Sequence, residues 1–125
     1  MRDTSGQALG HDVMEFQKID LKKTHITEIF RIEDLQKLQD AFSKANNIAS
    51  TITDLEGNAI TEPSNHSVVC SLIRKTKKGL DKCRKSGRTL GFMSLEQDQP
   101  CYMKCQGVGF FDAAAPIVIG GIHMA

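Results

Sequence analysis

Apolar residues recur every three or four positions in an early segment of the chain, which is the spacing of an amphipathic helix. These residues are Ile32, Leu35, Leu38, Ala41, Phe42 and Ala45. Glu33 and Asp34 lie in the first turn, where the helix dipole favours acidic side chains. Two asparagines, at positions 46 and 47, are residues that commonly terminate a helix. The pattern therefore predicts a helix over residues 32–45.

The next segment alternates apolar and polar residues and is rich in β-branched side chains, a pattern typical of strands. Residues 48–53 fit it, and residues 59–61 return as a second short strand. Between them lies a turn in which Gly57 is free to adopt a positive φ. We expect a β-hairpin that ends at Pro63.

Two helical segments are predicted after the hairpin. Ser67 is a suitable cap for the first, and Gly79 is expected to interrupt it. The second begins near Leu80. Its packed stripe is expected to consist of Leu80, Cys83, Gly87, Leu90 and Ser94.

The last third of the chain shows only strand patterns. Residues 101–106, 108–119 and 122–125 are the predicted strands, and the glycine pair at 120–121 is a two-residue hairpin turn. The strand from residue 122 stops without a polar tail, so we expect the final strand to be truncated. Strands in two groups around helices predict an α+β domain, with one antiparallel sheet and helices packed on one face.

The formal net charge of +1 hides an uneven distribution, because half of the 16 basic residues fall between positions 74 and 88. They are Arg74, Lys75, Lys77, Lys78, Lys82, Arg84, Lys85 and Arg88. Such a run contacts nucleic acid or anions in some proteins, but it is more often the solvated face of a helix. No aromatic residue is interleaved with it, which argues against a single-strand binding surface.

Several classes of protein are disfavoured by what the sequence lacks. No apolar run approaches the ~20 residues that span a bilayer, and the polar start is not a secretory signal. No Ser/His/Asp order, Gly-rich phosphate loop or paired-carboxylate motif stands out. We therefore expect a cytoplasmic protein without membrane contact that is not an enzyme.

Four cysteines are the main candidates for chemistry. Cys70, Cys83, Cys101 and Cys105 are separated by twelve, seventeen and three residues, which does not match a zinc finger or ribbon. In a cytosolic chain this number of cysteines favours metal binding or thiol chemistry over disulfides. Cys101 and Cys105 are four positions apart on a predicted strand, so both side chains lie on the same face.

Three interpretations of the cysteines stay open. In the first, the thiolates bind Zn²⁺ or an iron–sulfur cluster, with His66 or His123 in place of one cysteine. In the second, they form a redox switch, in which nearby cations (Lys82, Arg84, Lys85) lower the pKa of Cys83.

In the third interpretation the thiols line an apolar pocket or core. The residues expected to share that ligand-binding wall are Tyr102, Met103, Phe110, Phe111, Asp112 and His123.

An ordered set of short motifs resembles the PocR-type sensory domain, a relative of the PAS fold found in transcription regulators and sensor kinases. The motifs are IFRIEDLQKLQDAF at 29–42, ITDLEG at 52–57, Cys70 with LIR at 72–74, KGLDKC at 78–83, CQGV at 105–108, APIV at 115–118 and GIH at 121–123. The resemblance implies a PAS-like sensory domain over residues 29–125, preceded by a linker or extension over 1–28. Cys70, Cys83 and Cys105 occupy the three recurring cysteine positions of the family, whereas Cys101 departs from its pattern.

The resemblance also implies a function. Such domains are expected to bind a small hydrocarbon derivative such as a diol and to switch an attached output domain. A homodimer is expected because an unfinished sheet edge favours pairing, and nucleic acid is expected to be contacted only through the output domain. The alternatives are a thiol redox switch without metal and a small metal-stabilised nucleic-acid-binding module.

Overall fold

The structure, a computed structural model, describes residues 20–125. The predicted linker over 1–28 therefore lies largely outside the described residues. Its last part, residues 20–28, contains a turn and a short 3₁₀ helix, Ile26–Glu28, in which Ile26 is fully buried. No helix within residues 20–125 is both long enough and apolar enough to cross a membrane.

Helices and antiparallel strands make up the described part of the chain, which confirms the α+β class. In order they are α1 (Ile32–Asn46), α2 (Val68–Ile73), α3 (Lys77–Gln97), β1 (Cys101–Lys104), β2 (Phe111–Ala114), β3 (Val118–Ile119) and β4 (Ile122–His123). β1 pairs with β2 and β3 pairs with β4, both antiparallel. The turn between β3 and β4 is the predicted glycine pair, with φ of 56° and 79°.

Residues 50–64 form the predicted hairpin, held by two isolated bridges between Ser50 and Ser64 and between Thr53 and Ala59. Regular pairing stops between the bridges because the Ile52 carbonyl accepts from two successive amides, those of Ile60 and Thr61. The Thr61 hydroxyl in turn accepts from the Ile52 amide. This bulge-like arrangement explains why the hairpin contains two isolated bridges instead of the two strands that the alternating pattern predicts.

The position of Gly79 differs from the prediction. The break between the helices falls at residues 74–76, and Thr76 caps α3 by accepting a hydrogen bond from the Gly79 amide at 3.0 Å. Gly79 therefore lies inside the first turn of α3. It is buried, and a Cβ there would overlap the carbonyl oxygen of Ile73. The glycine permits α2 and α3 to approach closely, rather than ending a helix.

Helix α1 packs on the hairpin through a polar face. Gln39, Ser43, Thr61 and Ser64 are all buried. Gln39 donates to the Ser64 hydroxyl at 2.6 Å and to the Glu62 carbonyl at 2.8 Å, and its own carbonyl accepts from Thr61. Because each buried polar group has a partner, the joint avoids the penalty of unsatisfied groups. The predicted apolar stripe is largely on the other side: Leu38 is 68% exposed.

The hairpin turn packs against α3 at a glycine. Gly57 has a φ of 85°, and a Cβ there would overlap the Arg84 carbonyl oxygen. The Arg88 guanidinium donates to the Glu56 carbonyl at 3.4 Å. Asp54 holds the turn by accepting from the amides of Glu56 and Asn58. The contact fixes the distance between the hairpin and α3.

We predict that Gly57→Ala destabilises the domain more than Gly109→Ala. Both glycines have a positive φ, so the backbone strain of about 1–3 kcal/mol is shared. At Gly109 nothing lies within 4 Å of an added Cβ, whereas at Gly57 it overlaps α3. Crowding of this kind typically adds about 1–3 kcal/mol. Urea unfolding of both variants measures the difference, and equal losses would contradict the close approach.

Candidate functional site

Three of the four cysteines are brought together by three different elements, and we call Cys70, Cys83 and Cys105 the thiol cluster. Cys70 lies in the first turn of α2, where its amide donates to the capping Ser67 hydroxyl at 3.1 Å. Cys83 lies in α3. Cys105 lies in the segment that follows β1. This segment is held against α3 about one turn after Cys83, because the Gln106 amide donates to the Ser86 hydroxyl at 2.8 Å.

The loop after β1 places the sulfur of Cys105 near the end of α2. The Cys105 amide donates to the Phe110 carbonyl at 2.8 Å, and the Val108 amide donates to Cys105 Sγ at 3.2 Å. A Cβ on Gly107 would lie 3.9 Å from Cys105 Sγ and 3.7 Å from Ile73 Cγ2. The loop therefore holds the Cys105 sulfur close to Ile73, the last residue of α2.

The environment of Cys83 favours the neutral thiol. Partial burial raises the pKa of Cys83, and the negative charges of Asp112, Cys105 and Cys70 raise it further. The opposing contribution comes from Arg74, whose Nη1 lies 3.9 Å from Cys83 Sγ. The expectation that Lys82, Arg84 and Lys85 lower the pKa of Cys83 is wrong, because the pKa is raised and Arg74 is the cation that opposes the rise. Lys82, Arg84 and Lys85 are exposed and contribute little, because water screens them.

Asp112 and His66 add a second pair of titratable groups beside the cluster. Burial raises the pKa of Asp112, although the residue as a whole has considerable exposed surface. Burial and the positive charge of Arg74 lower the pKa of His66, and the charge of Asp112 partly offsets this. The site is thus a half-enclosed polar region in which the raised pKa values of Asp112 and Cys83 disfavour their ionised forms.

Cys101 is separate from this cluster. It is buried at 7% exposure, and its thiol lies 3.7 Å from the Gln99 carbonyl oxygen. It pairs with Ala114 across the β1–β2 ladder. Burial alternates along β1 from Cys101 to Lys104, and the strand ends before Cys105. Cys101 therefore packs as a small apolar residue at the other end of the strand.

The cysteines do not fit a metal centre in this geometry. Across residues 20–125, no three side chains of His, Cys, Asp or Glu lie close enough together to ligate one ion. All four cysteines are free thiols. His123, one of the proposed substitutes for a cysteine, lines a groove elsewhere. Neither Zn²⁺ nor an iron–sulfur cluster is supported by this arrangement.

A groove of about 490 Å³ lies between the hairpin, α3 and the strands of the last third. Its lining residues are Thr51, Ile52, Thr53, Asp54, Leu55, Gly87, Arg88, Gly91, Phe92, Leu95, Ala113, Ala114, Ala115, Ile117, His123 and Ala125. Gly87 and Gly91 are four residues apart on α3, and nothing lies within 4 Å of a Cβ at either. Their missing side chains leave the space open.

Of the six predicted ligand-binding residues, the structure places His123 in this groove and Asp112 beside the thiol cluster. Tyr102 and Phe111 are 74% and 71% exposed. Met103 is half-buried on the face of β1 that it shares with Cys101, and Phe110 is exposed. The spacing of Gly87 and Gly91 on α3 is a signal in the sequence that could have indicated the groove, whereas Gly87 was expected in the packed stripe of the helix.

Comparison with known proteins gives the class of protein first. Residues 28–125 match a family described as the sensory domain found in PocR. Together with the α+β fold, this match defines a sensory domain of a regulatory protein. The chain belongs to the PocR sensory-domain family, as its short motifs suggested.

A curated relative agrees with this assignment. The chain is similar to "Regulatory protein PocR" of Salmonella typhimurium (strain LT2), with 32% identity over 89 residues. The similar region covers 71% of this chain and 29% of that protein, so the chain spans less than a third of the relative's length. No solved structure matches the chain.

We predict that Arg74→Gln slows alkylation of Cys83 by iodoacetamide at pH 8. Loss of the cation removes the contribution that lowers the pKa of Cys83. A smaller fraction of Cys83 is therefore present as the reactive thiolate at pH 8. A roughly threefold lower rate is expected for a partly screened cation about 4 Å away.

Peptide mapping by mass spectrometry measures the rate at Cys83 separately from the other thiols. The control is Lys82→Gln, which removes a cation adjacent in sequence but exposed. An equal or larger effect of Lys82→Gln would contradict the geometry of the cluster.

Proposed function

We propose that this domain senses a small, uncharged, diol-like molecule that binds in the groove between the hairpin and α3. The observation that carries the proposal is the groove itself. Its volume of about 490 Å³ lies in the range of small-molecule sites, roughly 300–1,000 Å³. The role is sensing rather than catalysis, in agreement with the family to which the chain belongs.

The lining of the groove fits a short alcohol chemically. Phe92, Leu95 and Ile117 supply apolar walls for a hydrocarbon part. The hydroxyl of Thr53 and the imidazole of His123 can each donate to and accept from a ligand hydroxyl. A few placed polar groups in an apolar lining are the usual way in which small sites fix orientation.

Helix α3 connects the groove to the thiol cluster. Gly87 and Gly91 line the groove, while Cys83, one turn before Gly87, lies in the cluster. A ligand that shifts α3 therefore acts on both regions, and we propose that this movement switches the attached output domain. The matched region is 29% of the relative's length, which leaves room in a protein of that size for an output domain. A homodimer is part of the same proposal.

Two other functions have less support. A redox switch needs a thiol that ionises readily, and the raised pKa of Cys83 opposes this. The basic run, six of whose eight residues lie on α3, is largely exposed, as expected for the solvated face of a helix, so it gives no specific support to a nucleic-acid-binding module.

The ligand proposal predicts that Gly91→Leu abolishes binding of 1,2-propanediol. A leucine side chain at this position enters the groove without a clash at Cβ. It also removes a helical glycine, which is favourable for α3 by about 1 kcal/mol. Loss of binding would therefore reflect a filled groove rather than unfolding.

Titration followed by amide chemical shifts in NMR spectra measures this binding. A ligand with five non-hydrogen atoms has at most about −7 kcal/mol of affinity, so a dissociation constant in the micromolar to millimolar range is expected. Thr89→Leu, on the exposed side of α3, is the matched control and should bind as the parent does. Absence of saturable shifts in the parent, or unchanged binding by Gly91→Leu, would refute the proposal.

A further inference from the structure

Half of the basic residues of the chain fall between positions 74 and 88, and the proposed diol site assigns no role to their charge. Four of them surround a hollow of about 470 Å³ beside α3, which we call the basic hollow. Its lining residues are Lys77, Lys78, Asp81, Lys82, Lys85 and Gln106. None of them lines the groove proposed for the diol, so the basic hollow is a second, separate concave surface.

The spacing of the lysines brings their side chains to one side of the helix. Lys78, Lys82 and Lys85 are four and three residues apart on α3, so they lie on one face over about 10 Å of the helix axis. Arg88, by contrast, extends to the hairpin, where it donates to the Glu56 carbonyl. The charge at the basic hollow therefore comes from lysines of a single helical face.

The loop after β1 supplies a second wall. The Gln106 amide donates to the Ser86 hydroxyl of α3 at 2.8 Å, and Ser86 is only 1% exposed. This hydrogen bond fixes the loop beside the helix, while the Gln106 side chain stays exposed and lines the basic hollow. The lysines thus border a concave space between two elements rather than a flat helix surface.

The positive charge of the basic hollow is not neutralised by the described part of the chain. Within residues 20–125 the only ion pair is that between Arg31 and Asp34. Four lysines and one aspartate give the lining a formal net charge of +3. Like charges three and four residues apart on a helix repel one another. An anion that enters the basic hollow would relieve this repulsion.

We propose that the basic hollow binds a small ligand that carries two or more phosphate groups. A net charge of +3 matches an oligophosphate better than a single phosphate. Lysine ammonium groups bind phosphate oxygens as point charges, and the Gln106 amide can donate a further hydrogen bond. The volume lies in the range of small-molecule sites, whereas a nucleic-acid duplex is held through many phosphate contacts over an extended surface.

Titration of the full chain with inorganic triphosphate at low ionic strength, followed by amide chemical shifts in NMR spectra, tests the proposal. Saturable shifts are expected at residues 77–85 and at Gln106. Because the lysines are exposed, the affinity should fall severalfold when the salt concentration is raised to about 0.15 M.

A pair of double variants tests the position of the site. Lys78→Gln combined with Lys82→Gln should weaken binding roughly tenfold, because two charges next to the phosphates are lost. The matched control is Lys37→Gln combined with Lys44→Gln, which removes the same charge from exposed positions of α1 and should weaken binding by less than about twofold. All four lysines are exposed, so both variants should remain folded.

Two further comparisons identify the ligand and the second wall. Equal affinities for inorganic triphosphate and ATP would support the phosphate chain as the whole ligand, and tighter binding of ATP would support a nucleotide. Gln106→Glu should weaken binding of both compounds severalfold, because it places a carboxylate beside the phosphates.

Four results would overturn the proposal. They are absence of saturable shifts with either compound, equal losses in the two double variants, equal affinity for citrate, and binding of duplex DNA without binding of triphosphate. Equal affinity for citrate would show that charge alone is recognised. The proposal does not depend on diol binding, which is followed separately by shifts at the groove.

Discussion

The hairpin is held at a fixed distance from α3 by the close approach of Gly57 to the Arg84 carbonyl, and the candidate ligand site depends on this contact. Only a residue without Cβ fits there, and its positive φ also requires glycine. One wall of the groove is formed by residues 51–55 of the hairpin and the opposite wall by α3. A change in this contact would therefore alter the width of the groove between the hairpin and α3.

The joint between α1 and the hairpin has a different physical character. It is built from short polar side chains, with Gln39 at its centre bonded to Thr61, Ser64 and the Glu62 carbonyl. Hydrogen bonds are directional, so such a joint specifies one arrangement more sharply than apolar packing does. It also contributes less stability than burial of the same area of hydrocarbon. The helix is thereby positioned accurately, with Leu35 buried and Leu38 and Phe42 left exposed.

Local patterns in the sequence predicted much of the fold. The bounds of α1, the Ser67 cap, the hairpin turn at Gly57 and the glycine turn at 120–121 depend on residues close in sequence, where propensity and capping decide the outcome. Gly79 was assigned wrongly because its role is a tertiary one, the contact with Ile73, which no local pattern reveals.

The side of α1 that is buried could not be predicted for a similar reason. The apolar period of Leu38 and Phe42 indicates a contact face but not its partner, and the buried polar face depends on hydroxyls and amides more than twenty residues away. In the site, spacing gave the four cysteines equal weight. Separation of Cys101 from the cluster follows from the ladder of β1 with β2. The pKa of Cys83 is raised mainly because the thiol is partly buried. The sequence shows the adjacent basic residues but not this burial, so it predicted a shift in the opposite direction.

The two groove-lining glycines of α3 link the stability of this helix to the volume of the groove. A glycine within a helix costs about 1 kcal/mol relative to alanine, so Gly87 and Gly91 lower the stability of α3 to keep a space empty. Replacement of either by a slightly larger residue would strengthen the helix and shrink the groove at the same time. Selection for a smaller ligand and selection for a more stable domain would then act in the same direction, whereas enlargement of the groove would always have to be offset elsewhere in the fold.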